Sequence, residues 1–281
     1  MEAFGLMIAW TVGVLLAGTL VLHTLPWFGK GGKALSALCC KAPGLDLVIT
    51  YFTVLPWLVG AIILGWSGFI AGIIGQVIAL TLWSWAHELV HLKAKKGPRI
   101  VKVLNALVGR WRNHGALWVT ALAVPVFWFV RLGEWVVYPP LVLLVKFPRY
   151  KQGEWINLSR QKFDGLVGHD LVWCLYCDWM TGVWSLGTEM LRNVESFWCP
   201  IRFSDAKKCE NCQIDFPDVF NAWVPADGSM ADVTALLEKK YGVGKPTEEQ
   251  PASNSWFGHP ERGTVVELTV EGRQAEEEGG A

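Results

Sequence analysis

The chain has 281 residues, as many acidic as basic side chains, and 17 tryptophans. Charged residues make up only 18%, against roughly 25% in soluble domains, and the mean hydropathy is +0.30. Zero net charge with no basic, aromatic-interleaved patch argues against nucleic acid as a partner. The composition is that of a chain built for a lipid bilayer.

Residues 4–28 carry no charged side chain and are long enough to cross a bilayer. They read as a membrane span, because a signal peptide would have a basic start, a shorter apolar run and an A-x-A site. Lys30, Lys33 and Lys41 follow in what reads as a positive loop. The positive-inside rule puts that loop in the cytoplasm and the N-terminus, with Glu2 alone, outside. Cys39 and Cys40 lie in the loop. Adjacent cysteines are poorly placed to bond each other, so they read as buried thiols, with palmitoylation as the alternative.

Residues 45–92 form one apolar block, weakly interrupted at Gly65-Trp-Ser-Gly68. A single helix of that length would be roughly twice the hydrocarbon thickness. A hairpin of two spans fits better, turning near Trp66–Gly68 on the outside and returning to the cytoplasm before Lys93, Lys95, Lys96 and Arg99. Residues 99–112 are basic and amphipathic. They suit a helix in the headgroup layer or a connector packed on the protein, with nothing to separate the two.

Residues 115–147 are apolar again, broken by Pro125, the Arg131–Glu134 cluster and Pro139-Pro140. One kinked span and a returning hairpin both fit; the cations from Lys146 to Lys162 favour the return. Arg131 and Glu134, three apart, can share a helical face. Residues 168–197 read as a helix rich in Trp, Tyr, Leu and Met, and 205–225 as loops. Asp227 to Tyr241 reads as a short amphipathic helix stopped by Gly242 and Gly244. The tail, 245–281, is acidic and aliphatic-poor, with one weakly alternating strand over Thr264–Val270.

The expected fold is an all-α polytopic membrane protein with three clear transmembrane helices and a fourth kinked or hairpin segment. A small Cys-containing, mostly helical extramembrane region and a flexible acidic tail follow. The expected domains are 1–147 in the membrane, 148–244 as the Cys-rich cytoplasmic region and 245–281 as the tail.

Two constellations carry chemistry. The first is His87-Glu88-Leu-Val-His91, an H-E-x-x-H. Residues four apart share a helical face, so two imidazoles can meet one zinc while Glu88 acts as base on its water. An interfacial helix end with wetted histidines is the plainer reading. The stretch Trp85-Ala-His87-Glu88-Leu-Val-His91 resembles integral-membrane zinc peptidases. The resemblance implies a further ligand downstream, for which His114, Glu134, Asp170 and Glu189 qualify by residue type. Histidine-box di-iron hydroxylases and desaturases offer a second resemblance, with His87 and His91 as one box and Asn113-His114 as a fragment of another.

The second constellation is Cys174-x-x-Cys177 with Cys209-x-x-Cys212. Four thiolates satisfy tetrahedral zinc and leave no open position, so the site would be structural. An iron–sulfur cluster uses the same donors, and an oxidising compartment would give disulfides instead. Cys199 is left over. Histidines in apolar helices also ligate haem or pigment.

Two functions follow. One is an accessory or structural subunit of a larger membrane complex, with a cysteine zinc site and tryptophan-rich faces for lipid and neighbouring subunits. The alternative is a membrane-embedded zinc hydrolase using His87, Glu88 and His91.

Overall fold

The computed structural model describes residues 1–145, 147, 149–160, 163–198 and 228–241. Cys199, Cys209, Cys212, the strand expected over 264–270 and the tail lie outside the described residues. The described residues are helical, with one isolated antiparallel bridge between Lys41 and Asn157. Three helical stretches are long and apolar enough to cross a membrane: Glu2–Trp27, Val54–Val90 and Arg110–Val145. The expected all-α membrane architecture holds at that level.

Helix α1 (Glu2–Thr24) starts with an acidic first turn, which suits the positive end of a helix dipole, and gives way at Pro26 to a short 3-10 turn, Leu25–Trp27. The expected positive loop is instead helical: α2 (Gly29–Cys39) carries Lys30 and Lys33. Gly29, at φ +67°, turns the chain, and the Lys-Ala-Leu-Ser-Ala-Leu run behind it has good helix formers. Helix α3 is Gly44–Phe52.

Helix α4 (Val54–Val90) breaks at Gly65, whose φ of 61° and ψ of −142° are open only to glycine. Its two arms fold back on each other. A Cβ on Gly60 would land on the carbonyl oxygen of Gly68, and one on Gly68 would land on that of Gly60. One on Gly72 would lie 2.6 Å from the Pro56 oxygen. Residues eight or sixteen apart meet this way only in a hairpin, since a straight helix would hold them about 12 and 24 Å apart. Small residues permit the close approach that substitutes for hydrophobic driving force between membrane helices. Trp57 Nε1 donates to Gln76 Oε1 at 2.8 Å, and Gln76 Nε2 to the Phe52 carbonyl at 2.6 Å. The hairpin expected from the sequence is therefore present, its turn at Gly65.

The 66–90 arm runs parallel to α1. Gly75 packs on Thr11, and His87 lies beside His23; the offset is 64 in both cases (75 − 11 and 87 − 23). Tyr51 of α3 ties in by donating to the Val14 carbonyl at 2.6 Å.

Beyond α4 come α5 (Leu92–Lys96), α6 (Ile100–Val108) and α7 (Arg110–Thr120). Gly109, at φ 87°, divides what the sequence presented as one amphipathic helix. A 3-10 turn then leads into α8 (Val124–Val136) and α9 (Tyr138–Val145). Helices α10 (Gln152–Trp155), α11 (Gly168–Trp198) and α12 (Met230–Tyr241) complete the described chain. Ser229 and Asp232 form a capping box before α12, with Ser229 N–H donating to Asp232 Oδ2 at 2.7 Å.

The chain makes two compact units, Met1–Leu132 with Tyr150–Leu186, and Gly133–Arg149 with Gly187–Ala281. The first has a polar knot at its centre. Arg131 donates to Asp46 Oδ2 at 2.6 Å and to Gln152 Oε1 at 2.7 Å, while Trp179 Nε1 donates to Asp46 Oδ1 at 3.1 Å. Arg131, Asp46 and Trp179 are wholly buried, as are Leu45, Ile156, Val183 and Leu186 of the same unit. A buried ion pair survives only when further hydrogen bonds support it; α8 and α3 supply the pair, and Gln152 of α10 and Trp179 of α11 supply further bonds to it. In the second unit Tyr138 and Phe147 pack their rings 6.0 Å apart.

Candidate functional site

The H-E-x-x-H segment ends α4. Val90 is the last helical residue, and His91 caps the end at φ −107°, ψ 50°. The two imidazoles still meet: their rings stack with centroids 4.3 Å apart, and His91 Nδ1 lies 3.0 Å from the His87 carbonyl oxygen. His23 and Trp83 extend the row. Trp83 Nε1 donates to His23 Nε2 at 3.2 Å, and the His23 ring is 5.9 Å from that of His87.

Each flanking group has an assigned role. The Gly168 N–H donates to His87 Nδ1 at 3.1 Å. A neutral imidazole that accepts at Nδ1 carries its hydrogen on Nε2. Zinc at that nitrogen would require the hydrogen to leave and the Gly168 bond to give way. His91 is different: with Nδ1 donating to a carbonyl, its Nε2 lone pair is free, the state a ligand needs.

Glu88 points to cations. Arg99 Nη2 is 3.0 Å from Glu88 Oε1, and Lys95 Nζ is 3.4 Å from Oε2. Arg99 Nε also donates to Asp170 Oδ2 at 2.6 Å, and its Nη2 to the Val167 carbonyl at 3.3 Å. Burial works against the Arg99 charge, but the hydrogen bonds it donates to Asp170 and Glu88, with the charge of both carboxylates, outweigh it and hold its pKa above the ordinary arginine value. Gly168 makes this clasp possible. It sits at φ +54°, and a Cβ there would run into the Glu88 side chain and lie 2.8 Å from the Ser84 carbonyl. The start of α11 is thereby fastened to the end of α4.

A second imidazole pair lies nearby in the same unit. His114 and His169 have ring centroids 5.1 Å apart, and Trp173 Nε1 donates to His169 Nε2 at 3.0 Å. Burial lowers the His169 pKa, and the neighbouring His114 lowers it further. Of the downstream candidates, His114 and Asp170 belong to the first unit, Glu134 and Glu189 to the second. Among the described residues no group of three or more His, Cys, Asp or Glu converges as a metal site.

Cys174 and Cys177 lie one turn apart on α11, and neither is in a disulfide. Burial pushes the Cys174 thiol above its usual pKa. Cys177 Sγ lies 3.8 Å from Thr181 Oγ1. Next to this turn, Asp178 accepts from the Ser159 and Arg160 backbone N–H groups at 3.0 and 2.9 Å and pairs with Arg160 Nε at 2.8 Å. Two soft thiols on one helical face suit half of a tetrahedral zinc site. Their expected partners, Cys209 and Cys212, lie outside the described residues.

Sequence reading did not find His23, Arg99 or Gly168 as parts of the cluster. Only the position of His23 at the end of an apolar span, level with the end of another, hinted at its place. The fold and its site define a helical protein whose long apolar helices carry a polar cluster at one end. Comparison with protein-family models, curated proteins and solved structures finds no match.

Proposed function

We propose that this chain is an integral-membrane accessory or structural subunit of a larger membrane complex, with a cysteine zinc site beside the bilayer. The observation that carries the reading is the state of Glu88: two cations hold a carboxylate that a zinc hydrolase needs free for water. The same contacts fasten α4 to α11, a structural use for the whole motif. Zinc would sit on Cys174 and Cys177 together with Cys209 and Cys212, supplying cross-linking and no chemistry. The cluster end of the bundle faces the cytoplasm, because Lys30, Lys33, Lys41, Lys93, Lys95 and Lys96 gather there and residues 42–92 contain no lysine or arginine. There the thiols stay reduced and available to metal.

The stacking of His87 on His91 favours one second reading, a membrane-embedded zinc hydrolase. One experiment separates them. The full chain is purified in mild detergent from its native membrane, with partners identified by mass spectrometry and metals by elemental analysis. The subunit reading expects stoichiometric partners, and zinc that is lost in Cys174→Ser/Cys177→Ser and kept in His87→Gln/His91→Gln. Zinc lost with the histidines and kept without the cysteines would overturn it, and iron with sulfide would replace zinc by a cluster.

A further inference from the structure

Helix α6 turns an apolar face away from the protein. Ile100, Val103, Leu104 and Leu107 fall at i, i+3, i+4 and i+7, one stripe of a helix; Ile100 is 52%, Val103 60% and Leu107 73% exposed. Lys102 and Asn105 occupy the opposite side. Trp111 follows the Gly109 turn, also exposed. Among the described residues this face stays exposed.

The surrounding charge is one-sided. From Lys93 to Arg112 there are seven cations and no carboxylate. Lys95 and Arg99 are taken by Glu88 and Asp170. Lys93, Lys96, Lys102, Arg110 and Arg112 remain exposed. Protein interface cores are depleted of lysine, whereas an apolar stripe rimmed by lysine, arginine and tryptophan matches the edge of a bilayer whose headgroups are negative.

We propose that α6 lies in the headgroup layer of an anionic leaflet, its Ile100–Leu107 stripe among the acyl chains and the five exposed cations on phospholipid phosphates and acidic headgroups. This rests on the bilayer placement of the protein and is independent of its role as a subunit. The helix would then anchor the loop that supplies Arg99 to the Glu88–Asp170 clasp, so lipid charge would bear on the cluster itself.

The test is hydrogen–deuterium exchange of the full-length protein in nanodiscs of phosphatidylcholine alone, and of phosphatidylcholine with about one-third phosphatidylglycerol. Peptides over 100–108 should exchange several-fold more slowly in the anionic discs. That difference should vanish at roughly 1 M salt, where screening reaches about 3 Å, and in Lys96→Gln/Lys102→Gln/Arg110→Gln/Arg112→Gln. Equal exchange in both discs would overturn the proposal, as would equal protection in detergent, which means packing on protein. Protection restored by inorganic phosphate in neutral discs would also count against a lipid source. Exchange over α1 serves as the reference: fast exchange there would sink the bilayer placement itself, a failure distinct from loss of anionic selectivity.

Discussion

Arg99 joins two carboxylates from distant parts of the chain, and the two contacts are unequal. Asp170 is nearly buried and sits 2.6 Å from Nε; Glu88 is more open, at 3.0 Å from Nη2. Asp170→Asn leaves a nearly buried guanidinium with a single anionic partner, an expected loss of roughly 2–4 kcal/mol. Glu88→Gln keeps an acceptor oxygen in place and should cost about 1 kcal/mol. Thermal unfolding of the two variants in detergent checks the order, and equal or reversed losses would refute the clasp. His169 adds a pH dependence. Its folded pKa lies below 6.5, lowered by burial and by His114. Between that lowered value and 6.5 the unfolded chain binds more protons than the folded one, so stability falls as pH drops through that window. Above it the contribution is complete. In His169→Gln the slope in that window should become shallower when both proteins are titrated. The motif itself was legible in sequence because its residues are local. Its partners were not, since no local pattern links Arg99 to a carboxylate 71 positions on.

At the scale of elements, glycines decide which helices approach. In the α4 hairpin a Cβ on Gly68 would meet the Gly60 carbonyl and the Leu64 Cβ of the opposite arm. Gly68→Ala must push the arms apart, an overpacking cost of about 1–3 kcal/mol, whereas Gly13→Ala meets nothing within 4 Å and should be neutral. Thermal midpoints of the two variants distinguish a packed hairpin from a loosely bent helix; matching midpoints would dismiss the packed form. Apolar length and the Gly65–Gly68 interruption exposed this hairpin in the sequence, because hydrocarbon thickness limits how long one span can be. Helix α2 was hidden for the opposite reason. Its lysines and glycines resemble a loop, and the helix rests on an Ala-Leu run and on Gly32, which lies against the Leu25 carbonyl. The division at Gly109 was equally hidden, since amphipathic periodicity continues on both sides of it.

At the scale of the molecule, α1 and the second arm of α4 run parallel, which forces their C-terminal ends to one end of the first unit. The lysines of α2 and of the 93–96 segment follow those ends directly, so two stretches far apart in sequence gather their cations at one level. A hairpin with its turn at Gly65 makes this arrangement self-consistent: the chain leaves the cationic end through α3, reverses at Gly65, and comes back along α1. The orientation proposed above, from the positive-inside rule, puts that end in the cytoplasm, and with it Cys39 and Cys40 at the end of α2. A variant retaining only these two thiols, the other five cysteines changed to serine, puts the assignment to a direct test. In sealed right-side-out vesicles a membrane-impermeant maleimide should leave it unlabelled, and permeabilisation should restore labelling. Labelling before permeabilisation would invert the protein, put α6 and its cations on the outer leaflet, and expose Cys174 and Cys177 to an oxidising compartment. The proposed zinc on the thiols and the proposed anionic lipid under α6 thus depend on the same orientation, one of the two that parallel packing of α1 and the second arm of α4 allows and the one that the lysines favour.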